Sequence, residues 1–286
     1  MSLPERATDC PLCHRAGRER LRVRGIAVLD CPACGHRFAA YRAPADHVAR
    51  EYGDAYFTAG GAGYPDYLAE RGPLLARGEW YRRRLAPFAR GGRLLDVGSA
   101  AGFFALPFQR AGWQVQGIEP NARMARHARE VLGVPTFTGE LSAWPGKGPF
   151  DLVSLVQVLP HFPDPAAALA RVAALLRSGG LCLIETWHCE SRLARCLGRR
   201  WHEYSPPTVL HWFTPQRLDA LLAVHGLARV AGGRPRRCLS LRHAATALAH
   251  VLGDGAALRA VARRVPAWLT LPYPGDDLFW ALYRRR

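Results

Sequence analysis

Leu94-Leu95-Asp96-Val97-Gly98-Ser99-Ala100-Ala101-Gly102 is the stretch whose reading decides the fold. An apolar run closed by an acid and a valine reads as a short strand, the glycine-bounded segment as a tight corner, and Phe103 to Ala111 as the helix that follows. A glycine at such a corner lets the backbone approach a ligand closely, while the helix start offers free N–H groups to an anion. Asp96 lies at the carboxyl edge of the strand, where ligands of open α/β sheets bind.

Downstream, the same alternation repeats. Val115–Glu119 reads as a second strand and Asn121 as the cap of the next helix. Further strands are expected at Phe137-Thr138-Gly139, from Phe150, and over Leu175 to Glu185. Strands alternating with helices of about ten residues predict a parallel sheet with right-handed crossovers. Glu119 ends the second strand about twenty residues after Gly98, the place where an acid holds a ribose diol. The same geometry serves nicotinamide cofactors, but the loop here is GxxxG instead of GxGxxG, and no substrate-domain pattern follows.

Upstream stand Cys10-Pro-Leu-Cys13 and Cys31-Pro-Ala-Cys34-Gly35. Two CxxC turns at this separation match a structural zinc site of four thiolates, Cys10, Cys13, Cys31 and Cys34. Gly35 suits the tight knuckle after the second pair. The competing readings are disulfides, which a reducing cytosol disfavours, and a redox CxxC, which needs no second copy. His14 and His36 lie beside the pairs and could replace a ligand, although four thiolates already suffice. Cys182, Cys189, Cys196 and Cys238 have no metal-like spacing and read as ordinary thiols.

The 286 residues accommodate one large core and a small satellite, and a hydrophobic fraction of 49% argues against wholesale disorder. No apolar run is long enough to span a bilayer, and MSLPERATDC lacks the apolar stretch of a secretory signal, so a cytoplasmic location is expected. A formal charge of +16 invites RNA as a partner. Against that, Lys147 is the only lysine, and an arginine-for-lysine bias beside abundant Ala, Gly and Pro has the look of GC-rich coding.

The chain therefore divides into a zinc ribbon over residues 1–40, a connecting segment over 41–92 and an α/β domain over 93–286. The connecting segment is rich in tyrosine, and helical spacing runs from Tyr67 to Ala89. Tyr56, Tyr64 and Tyr67 are candidates for a substrate mouth or for packing. Before the last strand, residues 238–272 read as an insertion with Leu241, Ala245, Leu248 and Leu252 on one helical face and Arg242 and His243 off it. Trp187, Trp201, Tyr204 and Trp212, with His188, His202 and His211, make an aromatic-rich flank that either stacks on a ligand or packs a loop.

Taken together, the motifs resemble those of class I S-adenosylmethionine-dependent methyltransferases. Leu94 through Gly102 resembles their first motif, Gly117-Ile118-Glu119-Pro120 their second-strand acid, Phe150-Asp151-Leu152-Val153 through His161-Phe162-Pro163-Asp164-Pro165 their fourth strand, and Ser178-Gly179-Gly180-Leu181 the opening of their fifth. The resemblance implies a doubly wound, Rossmann-like α/β fold with a mostly parallel seven-stranded sheet and S-adenosyl-L-methionine as cofactor. Carried over, Asp96, Gly98, Ser99 and Gly102 would hold the methionine end, Glu119 and Pro120 the ribose, Glu140 and Leu141 the adenine, and Gln157 and Val158 would border the sulfonium. Two positions depart from the pattern. Ala100 replaces a middle glycine, and Pro160 stands where a glutamate commonly precedes the histidine.

Methyl transfer to a sulfonium-activated carbon needs a base only when the acceptor is a hydroxyl or a carbon acid. His161, just past the fourth strand, is the candidate, since imidazole titrates near neutral pH; a histidine that only holds its loop is the alternative. The expected function is an S-adenosylmethionine-dependent methyltransferase acting on a small molecule or saccharide. The alternatives are an RNA methyltransferase, because the ribbon also resembles that of a ribosomal RNA guanine methyltransferase, and a non-catalytic zinc-containing nucleic-acid-binding protein.

Overall fold

The strand and corner at 93–102 lie in the middle of the larger sheet. A computed structural model describes residues 8–58, 63–64, 66–236, 238–240, 270–273 and 275–286. In chain order the elements are β1 (Arg18–Val23), β2 (Ile26–Asp30), β3 (Arg37–Ala39), α1 (His47–Glu51), α2 (Asp54–Thr58), α3 (Arg71–Leu85), β4 (Arg93–Val97), α4 (Leu106–Arg110), β5 (Gln114–Glu119), α5 (Ala122–Glu130) and β6 (Thr136–Thr138). There follow β7 (Phe150–Val156), α6 (Pro165–Leu175), β8 (Leu176–Trp187), α7 (Arg192–Leu197), β9 (His211–Trp212), α8 (Pro215–Val224), β10 (Leu227–Gly233), β11 (Cys238–Ser240), β12 (Thr270–Pro272) and β13 (Leu278–Arg285).

Seven strands form one sheet in the order β10-β13-β8-β7-β4-β5-β6. From β8 to β6 every pairing is parallel, and β13 runs antiparallel to both of its neighbours. Helices cover both faces, so the inner strands are apolar on both sides. Leu95, Val153 and Ile184 pack on one face, and Leu94, Leu152 and Leu183 on the other. This is the doubly wound, mostly parallel seven-stranded sheet that the motifs imply.

Two helix boundaries differ from expectation. The helix after the corner begins at Leu106, because the left-handed Gly102 (φ +81°) opens a stretch of turns and Pro107 then sets the first helical turn. The helix expected from Tyr67 to Ala89 occupies Arg71–Leu85, preceded by a 3-10 turn at Leu68–Glu70. Asn121 caps α5 as expected, its Oδ1 accepting from Met124 N at 2.9 Å.

The N-terminal strands build a second, antiparallel sheet in the order β1-β2-β3-β9. Its fourth strand comes from beyond residue 200, so the ribbon is stitched to the large domain through the Arg37–Trp212 and Phe38–His211 pairs. Of the expected 238–272 insertion, β11 and β12 pair antiparallel; the helical face of Leu241, Ala245, Leu248 and Leu252 and its flanking Arg242 and His243 lie outside the described residues. Among the described residues no helix is long and apolar enough to cross a membrane.

Candidate functional site

The corner after β4 is built around left-handed backbone. Gly98 sits at φ +70° with Val158 against it: a Cβ there would lie 2.5 Å from Val158 Cγ2, so glycine is required both for conformation and for space. Ala100 also adopts positive φ, +45°, where a glycine would be unstrained. Glu119, at the end of β5, accepts from the backbone N–H of Ala100 through Oε2 and from that of Asn121 through Oε1, each at 2.8 Å. One carboxylate thus ties the corner to the start of α5.

Asp96 is buried at the end of β4 and accepts from Ser154 Oγ at 2.6 Å. Burial pushes its carboxyl up to about 7, with the Ser154 hydrogen bond opposing. Glu119 is also pushed up to about 7, first by burial and further by Asp96, against the two backbone N–H groups. Two buried carboxyls on adjacent strands, whose hydrogen bonds among the described residues come from a hydroxyl and backbone N–H groups, suit a positively charged ligand. Ser99 Oγ, in the same corner, is buried without a hydrogen-bond partner among the described residues. That orphaned hydroxyl and the two buried carboxyls fit the amino-acid nucleoside that the motifs imply.

The other expected cofactor residues divide. Pro120 lines a cleft of about 210 Å³ together with Tyr52, Gly53, Asp54 and Asn121. Leu141 is buried, whereas Glu140 points to solvent after β6. Gln157 follows β7 in left-handed conformation (φ +59°); its backbone N–H donates to Glu185 O at 2.8 Å and its Nε2 to Glu185 Oε1 at 3.2 Å. Val158 packs on Gly98.

His161 closes a 3-10 turn at Leu159–His161. Its Nδ1 lies 2.9 Å from Thr208 O. A carbonyl only accepts, so Nδ1 carries the proton and Nε2 keeps the lone pair. Tyr52 donates from its hydroxyl to the same carbonyl at 2.6 Å and sets its ring edge-on to the imidazole, 5.4 Å between centroids. Burial lowers the histidine's pKa, opposed by the Thr208 and Gln157 carbonyls. The ring is therefore neutral, oriented and basic at one nitrogen.

Connecting-segment tyrosines cover this region. Tyr67 is buried and stacks on Phe103, and Tyr64 meets Tyr67 edge-on at 4.8 Å. Tyr56 touches Tyr52, Phe57 and Tyr64. The aromatic flank beyond β8 is packed instead of open: Trp187, Trp201, Tyr204 and Trp212 are buried in one cluster with Val28 and Ala39 of the ribbon. His211 pairs with His36 across that junction, Nδ1 to Nε2 at 3.0 Å, and neither His36 nor His14 joins the metal-sized cluster of the four cysteines among the described residues.

The four ribbon cysteines converge. Their sulfurs all lie within 4.8 Å of one another, with Cys10–Cys34 at 3.6 Å and Cys13–Cys31 at 3.4 Å. A tetrahedral ion with sulfur bonds of about 2.3 Å sets sulfurs about 3.8 Å apart, so the cluster has the size of a metal cage. The two turns are alike: His14 (φ +57°) and Gly35 (φ +70°) take the same left-handed position, and their N–H groups return to Cys10 O and Cys31 O.

Several residues at the site gave no clear signal in sequence. Ser154 is the one hydroxyl in the buried run of β7, and Glu185 the one acid in the apolar run of β8. A lone polar residue inside such a strand was the available clue. Arg77 and Tyr81 of α3 both hydrogen-bond Glu185, and Thr208 fixes His161; these depend on chain crossings that spacing does not reveal.

A family model for a methyltransferase domain matches residues 68–231. A ubiquinone biosynthesis O-methyltransferase of Caulobacter sp. (strain K31) is 33% identical over 180 residues, 56% of this chain and 71% of the relative. Its counterpart in Ralstonia nicotianae (strain ATCC BAA-1114 / GMI1000) is 30% identical over 185 residues, 62% of this chain and 75% of that protein. Among solved structures, the Burkholderia thailandensis 1,6-didemethyltoxoflavin-N1-methyltransferase superposes with a TM-score of 0.54 at 18% identity, covering 94% of this chain and 99% of that one. Identity that low speaks for the fold alone.

Proposed function

The chain belongs to the methyltransferase-domain family, and from that premise we propose that it transfers the methyl group of S-adenosylmethionine to a hydroxyl of a small ring compound, with His161 as the base. The observation that carries this reading is the fixed tautomer of His161, whose Nδ1 is committed to Thr208 O and whose Nε2 is left basic. A hydroxyl is one of the two acceptors, with a carbon acid, that need such a base, and the relatives at 33% and 30% identity that bear the name of O-methyltransferases favour the hydroxyl.

When bound, the cofactor supplies a methyl group activated by its sulfonium. The protein's share is alignment, water exclusion and removal of one proton. Asp96 and Ser99 would hold the methionine end, with Gly98 and Gly102 shaping the corner around it. Glu119 and Pro120 would hold the ribose, Leu141 the adenine ring with Glu140 at its rim, and Gln157 and Val158 would border the reacting carbon. His161 Nε2 takes the hydroxyl proton as the oxygen attacks. The Tyr52 ring beside it supports a flat acceptor better than an extended polymer.

Zinc is the metal we assign to Cys10, Cys13, Cys31 and Cys34, since four thiolates at tetrahedral size select it. Closed coordination by four sulfurs makes that site structural. Thiolates persist in a reducing compartment, which is consistent with a cytoplasmic protein.

The test is isotope transfer from methyl-labelled S-adenosylmethionine to a panel of phenols, with 3,4-dihydroxybenzoate as the first probe and bulk RNA and free sugars in parallel. Label on the phenolic oxygen, lost by about a hundredfold or more in His161→Ala with cofactor affinity retained, is the expected result. Label on RNA or sugar alone, or full turnover by His161→Ala, overturns it.

A further inference from the structure

We propose that the cysteine ribbon is the positioning element of the acceptor side, and that Arg37 and Ala39 orient His161 through the 201–210 loop. This rests on His161 serving as the base.

The path is short. Leu210 donates its N–H to Pro160 O, in the turn that carries His161, at 3.0 Å, and its carbonyl accepts from Ala39 N of the ribbon at 2.9 Å. One peptide neighbour thus touches both the base's turn and the ribbon. Two residues earlier, Thr208 supplies the carbonyl that fixes the imidazole. Arg37, almost fully buried, grips Asp30 of its own sheet through Nε at 2.6 Å and reaches over to Tyr204 Oη at 2.9 Å and Cys189 O at 3.1 Å. A buried guanidinium satisfied on both sides of a junction holds it in one geometry, because every displacement strands a charged donor.

Residues 201–210 have neither helix nor strand, and their internal backbone bonds are local turns, such as Tyr204 N to Trp201 O and Val209 N to Ser205 O. Such a segment takes its shape from what it leans on. On the ribbon side that is Arg37 and Ala39, with Trp201, Tyr204 and Trp212 packed on Val28 and Ala39. The ribbon's inner cluster is small, Cys10, Ala27, Leu29, Cys31 and Phe38, too little apolar surface to hold three short strands without the cysteine cage closed. Closure of the cage therefore sets β3, β3 sets β9 and Leu210, and these set the base.

The experiment compares the parent, the parent stripped by a thiol-tolerant chelator, Arg37→Gln and the milder Tyr204→Phe, each also in a His161→Gln background. It reads amide exchange over 201–212, S-adenosylmethionine affinity by calorimetry and turnover of 3,4-dihydroxybenzoate. Expected are faster exchange at Thr208–Leu210, cofactor affinity within about twofold, and turnover down by about tenfold or more on stripping and in Arg37→Gln, with a smaller loss in Tyr204→Phe. In the His161→Gln background the same changes should cost less than about twofold, because a base that is gone cannot be misplaced. Unchanged exchange in the stripped protein and both variants overturns the proposal, as does an equal fold-loss in the two backgrounds. Should His161→Gln alone leave turnover intact, the base assignment falls separately, and exchange decides the ribbon's hold on the loop: faster upholds it, unchanged overturns it.

Discussion

Ser154 Oγ donates to Asp96 Oδ1 at 2.6 Å, inside the sheet and away from solvent. The bond favours the ionised carboxylate, yet burial outweighs it and leaves Asp96 at about 7 against an ordinary 3.8, with Glu119 at about 7 against 4.5. Between those limits the native state binds protons that the unfolded chain has released. The unliganded protein should therefore lose stability as pH rises from about 4 to about 7.

On the proposed assignment a cationic cofactor reverses the preference, because its binding favours the ionised carboxyls. The melting-temperature increase given by S-adenosylmethionine should grow from pH 5.5 to 7, and Asp96→Asn should flatten that growth. Ser154→Ala, which removes the opposing hydrogen bond, should weaken cofactor binding at pH 7 several-fold. Thermal shifts across a pH series check all three, and a ligand-induced shift independent of pH would contradict the assignment.

Gly98 and Ala100 make opposite demands within one corner. In Gly98→Ala the new Cβ meets Val158 Cγ2 at 2.5 Å on a left-handed backbone, so stability should fall by at least about 2 kcal/mol and cofactor binding should be lost. Val158→Ala in the same chain should recover part of the stability. Ala100 already bears the left-handed cost at φ +45°, so Ala100→Gly should be neutral or stabilising by up to about 1 kcal/mol, the strain relieved being partly offset by unfolded-chain entropy. Urea denaturation of the three variants separates these outcomes.

The corner, Glu119 and the cysteine cage were legible because each is a local pattern: a turn needing glycine, an acid at fixed distance along the chain, two matched CxxC knuckles. The parallel sheet was legible too, since apolar runs such as Leu181–Ile184 between helical segments suit strands buried on both faces, while the order of the strands was not. What stayed hidden depends on residues far apart in the chain. Nothing around Thr208 announces that its carbonyl will fix His161, and the choice between stacking and packing for the tryptophans was open until β9 joined the ribbon's sheet and buried them. Helix boundaries slipped where a proline or a left-handed glycine overrode periodicity, as between Gly102 and Leu106.

His161 should shape the acid limb of turnover. Burial holds its pKa below the ordinary 6.5, with the Thr208 and Gln157 carbonyls opposing and His47 adding to the depression. The neutral, basic ring therefore persists at pH values where a free imidazole would be mostly charged. The turnover number for 3,4-dihydroxybenzoate should rise with pH along a limb centred below 6.5 and then level off. His161→Gln should lower the plateau by about a hundredfold or more and erase that limb. A limb that survives in His161→Gln would place the titrating group elsewhere.

Glu185 is fully buried at the heart of the sheet, and every donor around it comes from another element. Arg77 bonds it through Nε at 3.0 Å and pairs with it through Nη2; Tyr81 donates from its hydroxyl and Gln157 from Nε2. The carboxylate thereby binds α3 to Gln157, the residue proposed to border the reacting carbon. In Glu185→Gln the shape is kept, but the charge opposing Arg77 is gone, and an amide nitrogen now faces donors. Breaking one side of a buried pair costs about 3–5 kcal/mol, which should appear as a lower urea midpoint with the slope unchanged. Turnover should fall with it, since Gln157 loses its anchor while Asp96 and Glu119 still bind cofactor. Arg77→Met with Glu185→Met, which removes both charges and restores apolar packing, should recover most of the stability and little of the turnover. If the double variant regained both, the pair would serve the fold alone and Gln157 would need no anchor.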